Sequence, residues 1–291
     1  MDLLRAPWVL ATIVVSAVWY WRGSQRPSLR AVGTGSRRRV APWRGLCFAA
    51  GLAAVLVALD SPVERLADDW FWAHMLQHVL LMMIAAPLLV LGAPWMPFWR
   101  PLPLGLRRRI ARALVKSPFF SWLRYVASLV VTPVGAWLLF DVNLAVWHVP
   151  ALYDLTLRNT GVHYAEHISF VLLGLLFWSQ VLDSPPFHPR LSAFGRVIYT
   201  AAGSAASWLL AIVLTIATTP LYPAQSAGHK GGLSPLGDQQ LAAGVMLGPG
   251  SIPYAIVVFY WLYVWLGADD PDGGLRRRVA PRRSALGTGA R

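Results

Sequence analysis

Apolar residues in this chain come in long uninterrupted blocks. Cutting the sequence at its charged residues leaves seven runs of at least 15 residues: 6–21, 45–59, 70–99, 125–140, 167–182, 197–229 and 239–268. A hydrocarbon layer about 30 Å thick is crossed by roughly 20 mostly apolar helical residues, so each run, extended past its charged edges, predicts one transmembrane helix. Strands of a membrane barrel would alternate apolar and polar positions, whereas Ile84–Leu91 and Val126–Phe140 are apolar on every side. The predicted fold class is all-α: a polytopic membrane protein with seven transmembrane helices over residues 1–267, followed by a basic, disordered cytoplasmic tail over 268–291.

The spans are expected at about 6–21, 43–59, 70–91, 124–140, 162–182, 197–219 and from Asp238 through Trp265. Gly92-Ala93-Pro94 closes the third, and Gly248-Pro249-Gly250 with Pro253 interrupts the seventh and predicts a kink there. Residues 33–39 read as a loose loop, 60–69 as a short acidic link, and 141–162 as an outer loop with a short helix near 151–158. Residues 106–116 form an amphipathic pattern with a basic face, which suits a helix lying on the anionic inner leaflet. The first run lacks both a strongly basic start and small-residue cleavage spacing, so it reads as a span and not as a signal peptide.

Composition agrees, with 56% hydrophobic and only 13% charged residues, too oily for an ordinary soluble enzyme and too aliphatic for a disordered chain. The net charge of +13 is explained by topology. Segments 22–44, 100–124, 183–196 and 267–291 hold 22 of the 26 Lys and Arg, and the alternate set holds only Arg5, Arg65, Arg158 and Lys230. The positive-inside rule then places the N-terminus outside and the C-terminus in the cytoplasm, and no nucleic-acid partner is needed. Cys47 is the only cysteine, so neither a disulfide nor a dithiolate metal motif is available.

Candidate chemistry lies in the histidines. Two pairs share one spacing, His74-Met75-Leu76-Gln77-His78 and His163-Tyr164-Ala165-Glu166-His167, where random placement of seven histidines gives about 0.14 such pairs. Residues four apart share a helix face about 6 Å apart, so each pair presents two imidazoles to one ion. Spans 3 and 5 run the same way through the membrane and carry their pairs in the first two turns, which puts four rings within about 12 Å of the outer boundary. His148 and His229 lie in outer loops, and only His188 is cytoplasmic. Intramembrane polar residues are costly and mark functional sites, so a metal site is expected. Imidazole suits zinc, copper, nickel and iron, while the thioethers of Met75, Met246 and the Met82-Met83 pair favour cuprous ion. Glu166 and Asp238 can orient ring N–H groups or ligate directly, and Asp60 is a further hydrogen-bond partner.

Three activities fit these residues: a site that binds and hands over copper; a zinc hydrolase, since His163–His167 fits H-x-x-E-H with Glu166 as base; and a haem protein. Stacked transmembrane haems would need histidines more than two turns apart on each helix, so spacing of four suits one metal centre better.

The run Ala73-His74-Met75-Leu76-Gln77-His78-Val79-Leu80-Leu81-Met82, the Gly92-Ala93-Pro94 stop, Trp147-His148-Val149-Pro150-Ala151-Leu152-Tyr153-Asp154, Glu166-His167 and Asp238-Gln239-Gln240-Leu241-Ala242 together resemble the multi-span CtaG family of bacterial cytochrome c oxidase assembly factors. The likeness covers about 43–265. It implies a seven-helix plasma-membrane protein needed to form active oxidase, with copper supply as its role. It places the functional site on His74, His78, His148, His163, His167 and the Asp238-Gln239-Gln240 start of span 7. The combined expectation is a non-enzymatic factor that binds one copper ion, with zinc the alternative, and passes it from a copper donor protein to an oxidase subunit.

Overall fold

The computed structural model describes residues 7–25, 40–222, 224–225 and 232–268, and these form helices joined by turns, with no strand among them. In chain order the helices are α1 (Pro7–Gln25), α2 (Pro42–Leu59), α3 (Pro62–Asp69), α4 (Phe71–Leu91), α5 (Trp95–Trp99), α6 (Leu104–Lys116), α7 (Ser121–Val130), α8 (Pro133–Trp147), α9 (Pro150–Arg158), α10 (Thr160–Trp178), α11 (Ala193–Ile216), α12 (Pro235–Leu247) and α13 (Ile252–Ala268). The expected loop at 33–39, His229 and the tail after Ala268 lie outside the described residues. Pro42, Pro62, Pro133, Pro150 and Pro235 each open a helix, where the missing N–H costs nothing and the fixed φ is already helical. This placement is how a proline-rich sequence remains helical.

Five segments are long and apolar enough to cross a membrane: Pro42–Asp69, Phe71–Leu91, Thr160–Trp178, Ala193–Ile216 and Pro235–Gly267. The last keeps α12 and α13 within one span despite the short 3-10 turn at Pro249–Ser251, in keeping with a kink. A sixth is reached only by joining Pro118–Val130 to Pro133–Trp147 across an 84° bend. α1 is 19 residues long, but its last two turns carry Trp19-Tyr20-Trp21-Arg22 and end in Gly23-Ser24-Gln25, and it does not reach the same mean hydropathy.

The fourth span differs from the sequence expectation. The charge-free run 125–140 does not form one helix, because Pro133 cannot donate to the preceding turn and Thr132 caps a new helix by accepting from the Gly135 N–H at 3.0 Å. That helix then runs past Asp141 to Trp147, through residues expected to be loop. Its 15 residues cover about 22 Å. The expected acidic link at 60–69 is also helical, as α3, with the Ser61 side chain accepting from the Val63 N–H. The amphipathic segment forms α6, none of whose residues is buried.

α4 is the central element, packed by α2, α3, α10 and α12, and 67% of its apolar window is buried against 22–39% in the other spans. Its N-terminus is held from α12: the Asp238 carboxylate accepts from the Phe71 N–H at 2.8 Å and the Trp72 N–H at 3.0 Å. The neighbouring Gln239 ties α12 to the C-terminal end of α11 and the turn beyond it, donating to the Leu214 carbonyl at 3.0 Å and accepting from the Leu221 N–H at 2.7 Å. Gln77 donates to the Ala58 carbonyl at 2.8 Å and to the Glu64 carboxylate, which fixes α2 and α3 against α4. Lower down, α4 carries a π-helical stretch, Leu80–Ala85, whose Met82 carbonyl accepts from the Trp178 indole at 2.8 Å.

Close approach of α4 and α10 depends on Gly174, where an added Cβ would sit 2.9 Å from the Ala86 Cβ. Gly174→Val is expected to push these two helices apart and lower the melting temperature of the detergent-purified protein, with the histidines themselves untouched. Hydrogen bonds to charged groups contribute about 1.5–3 kcal/mol each. Asp238→Ala, which removes the acceptor of two N–H groups at the start of α4, should therefore destabilise by about 3–6 kcal/mol. Asp238→Asn, retaining one acceptor oxygen, should lose less, and thermal unfolding of the three proteins checks the order.

Candidate metal centre

Both histidine pairs begin at a capped helix end. α4 starts at Phe71 and α10 at Thr160, so His74 and His163 are each the fourth helical residue and His78 and His167 each the eighth. The α10 start is fixed by Asn159, whose side chain accepts from the Gly161 and Val162 N–H groups at 2.9 and 3.2 Å. Two helices running in the same direction, capped at the same end and packed together, therefore bring four imidazoles to one level. Ring centroids lie 4.5 Å apart for His74–His78, 4.3 Å for His163–His167, 5.3 Å for His74–His163 and 5.6 Å for His78–His167.

Glu166 lies among them. Its side chain is fully buried, with Oε2 at 3.6 Å from His74 Nε2 and Oε1 at 3.5 Å from His78 Nε2. One ligand atom each from His74, His163, Glu166 and His167 lies within 4.8 Å of the other three. Nitrogen and oxygen ligands about 2.0–2.1 Å from a tetrahedral ion stand about 3.3–3.4 Å apart, close to the His–Glu166 separations. Both Glu166 oxygens and the Nε2 atoms of His74, His78, His163 and His167 are buried without a hydrogen-bond partner. Buried polar atoms are normally paired, so a convergent set of unpaired donors fits a cation.

The site is reached from the end that carries α3 and α9. A cavity of about 410 Å³ is bordered by Glu64, Asp68, Thr156, His74 and His163. A second, apolar groove of about 390 Å³ between α1, α2 and α10 ends on His167 and Tyr164.

Other expected residues are placed elsewhere. The Asp238 carboxylate caps α4 and Gln239 clamps α12 to the end of α11, and neither belongs to the four-residue group. Asp60 closes the C-terminal end of α2 and lies outside the four-residue group. His148 is the C-terminal cap residue of α8, with Nδ1 at 2.7 Å from the Leu144 carbonyl and Nε2 at 3.3 Å from Met75 Sδ. Met75 and Met246 are buried on that side, lining a cavity with His148 and outside the four-residue group. His188 is exposed beside Asp183 in the turn after α10. Sequence reasoning treated Glu166 as an accessory and overlooked Gln77 and Tyr153. The signal for Gln77 is a lone amide inside an apolar span. Tyr153, in contact with the His74 ring at 5.1 Å, gives no such signal.

The sequence profile of the cytochrome c oxidase caa3 assembly factor family matches residues 18–268. An uncharacterized protein of Mycobacterium bovis is 26% identical over 253 residues, covering 84% of this chain and 37% of the relative. An uncharacterized protein of Mycobacterium leprae is 26% identical over 193 residues, covering 64% of this chain and 27% of the relative. The chain thus spans less than two fifths of the length of these curated relatives. No solved structure matches it. With that profile covering nearly the whole described bundle, the chain belongs to the cytochrome c oxidase caa3 assembly factor family, as a multi-pass protein of the bacterial plasma membrane.

Proposed function

We propose that this assembly factor carries copper as cargo on His74, His163, Glu166 and His167, with His78 against the same carboxylate, and delivers it to a subunit of the oxidase it helps to assemble. The observation that carries the reading is the set of buried, unpartnered donor atoms converging around Glu166. Seven spans with the N-terminus outside complete the proposal. The positive-inside asymmetry supports that orientation, which puts the acidic mouth at Glu64 and Asp68 on the outer face, where a donor protein and an outward-facing oxidase centre can meet it.

The role proposed is binding and transfer, without catalysis by this chain. Glu166 is wedged between two imidazoles, a position suited to holding an ion and not to activating a water beside one. Rings in mutual contact at 4.3–5.6 Å leave no slot for a flat macrocycle between them, which weighs against haem. Zinc fits the same imidazole–carboxylate donors, so metal analysis decides between the two ions.

His78→Ala/His167→Ala is expected to abolish cupric-ion retention at the imidazole–carboxylate group of the purified protein and to lower oxidase activity and copper content, with unchanged amounts of the protein in the membrane. Unchanged oxidase copper in that variant overturns the reading, as does a wild-type protein holding stoichiometric zinc and hydrolysing a substrate only when Glu166 is intact. Clefts lined by one sign of charge raise association rates by about 10-fold or more. Asp68→Asn should slow metal uptake several-fold at low ionic strength, with a smaller effect at high salt, as read by stopped-flow.

A further inference from the structure

Beside the imidazole–carboxylate group lies a second, chemically different cavity that the proposed copper site does not use. Its volume is about 20 Å³, room for one water-sized occupant. Four of the chain's six methionines line it, Met75, Met82, Met83 and Met246, together with His78 and His148. All four sulfur-bearing side chains are buried. Three different devices bring them there: the histidine-bearing start of α4 carries Met75, the π-helical stretch carries Met82 and Met83, and Met246 sits in the last turn of α12 just before the Gly248 break.

His148 supplies the decisive geometry. Its Nδ1 is 2.7 Å from the Leu144 carbonyl, which can only accept, so Nδ1 bears the proton. In the neutral ring Nε2 then carries a lone pair, and that lone pair faces Met75 Sδ at 3.3 Å. A thioether has no proton to give, so two electron-pair donors confront each other in a mostly apolar cavity. Bonds of about 2.0 Å to an imidazole nitrogen and about 2.3 Å to sulfur close on that 3.3 Å edge at an angle of about 100°. One cation between them would turn the confrontation into a chelate.

From this we infer that Met75, Met246 and His148, with Met82 and Met83 around them, form a thioether-rich site for a soft monovalent cation of the cuprous type. Thioether donors are soft and uncharged, so they hold a soft monovalent ion in an apolar cavity better than a hard divalent one. The His78 ring is the wall shared by the two sites: its Nε2 lies 3.5 Å from Glu166 on one side, and its ring borders the methionine cavity on the other. The inference extends the copper reading and rests on it for the ion's source. An ion admitted at the acidic mouth meets imidazole and carboxylate first and sulfur deeper in.

Silver(I), a soft and redox-silent probe, and zinc(II), a probe for the imidazole–carboxylate group, separate the two sites in the purified full chain. The zinc-saturated wild type is expected to retain one silver ion after desalting. Met75→Leu/Met246→Leu, close in volume to the native side chains, should weaken silver retention tenfold or more and leave zinc stoichiometry unchanged. Silver bound equally well by that variant overturns the inference. X-ray absorption of zinc-blocked, cuprous-loaded wild type gives a readout that needs no substitution: sulfur neighbours are expected, and a shell of nitrogen and oxygen alone overturns the inference. Loss of zinc binding by the wild type with silver binding retained would count against the imidazole–carboxylate site and leave this one standing.

Discussion

Enclosing a carboxylate among apolar helices costs several kcal/mol unless opposite charge or proton donors meet it. Glu166 is enclosed completely, with neither oxygen hydrogen-bonded and an imidazole nitrogen near each. The fold has gathered groups that each need a partner and has positioned them to share one. Histidines alone at this depth could remain neutral and inert. A carboxylate in their midst makes a cation the natural counterpart, and the bundle can be understood as the device that holds α4 and α10 in position around it.

That device depends on helix starts more than on helix faces. Asp238 and Asn159 fix the first turns of α4 and α10, so equal spacing from each start becomes equal depth in the membrane. Small-residue contact at Gly174 and Ala86 then sets the lateral distance. Polar residues within spans are costly, and around α4 they serve as clamps or as a donor set. Asp238, Gln239 and Gln77 belong to the first kind, while His74, His78, Glu166 and His167 belong to the second.

The all-helical class and most span positions were legible because charge-free runs and proline stops are local signals. The paired spacing of His74/His78 and His163/His167 also announced a shared level, since periodicity and direction of travel are both written along the chain. Other features were not legible. The 84° bend between α7 and α8 passes through an unbroken apolar run, and Asp141 ends the run without ending the helix. Asp238 stands on a family motif and looks like a ligand, but its carboxylate is taken by two backbone N–H groups from another span. A side chain's partner across the bundle leaves no mark in the linear order, which is why the capping role of Asp238 and the turn of His148 toward Met75 needed coordinates.

The π-helical stretch in α4 has a consequence for how this protein can change over evolutionary time. A π turn accommodates one residue more than an α turn, which offsets everything beyond it by roughly 100° about the axis. The segment bearing His74 and His78 and the segment bearing Ala86 are thus aimed independently along a single rod. Drift in the packing of the lower half need not swing the rings above, so the bundle can be retuned to a different lipid thickness or docking neighbour with the geometry of its imidazoles left in register.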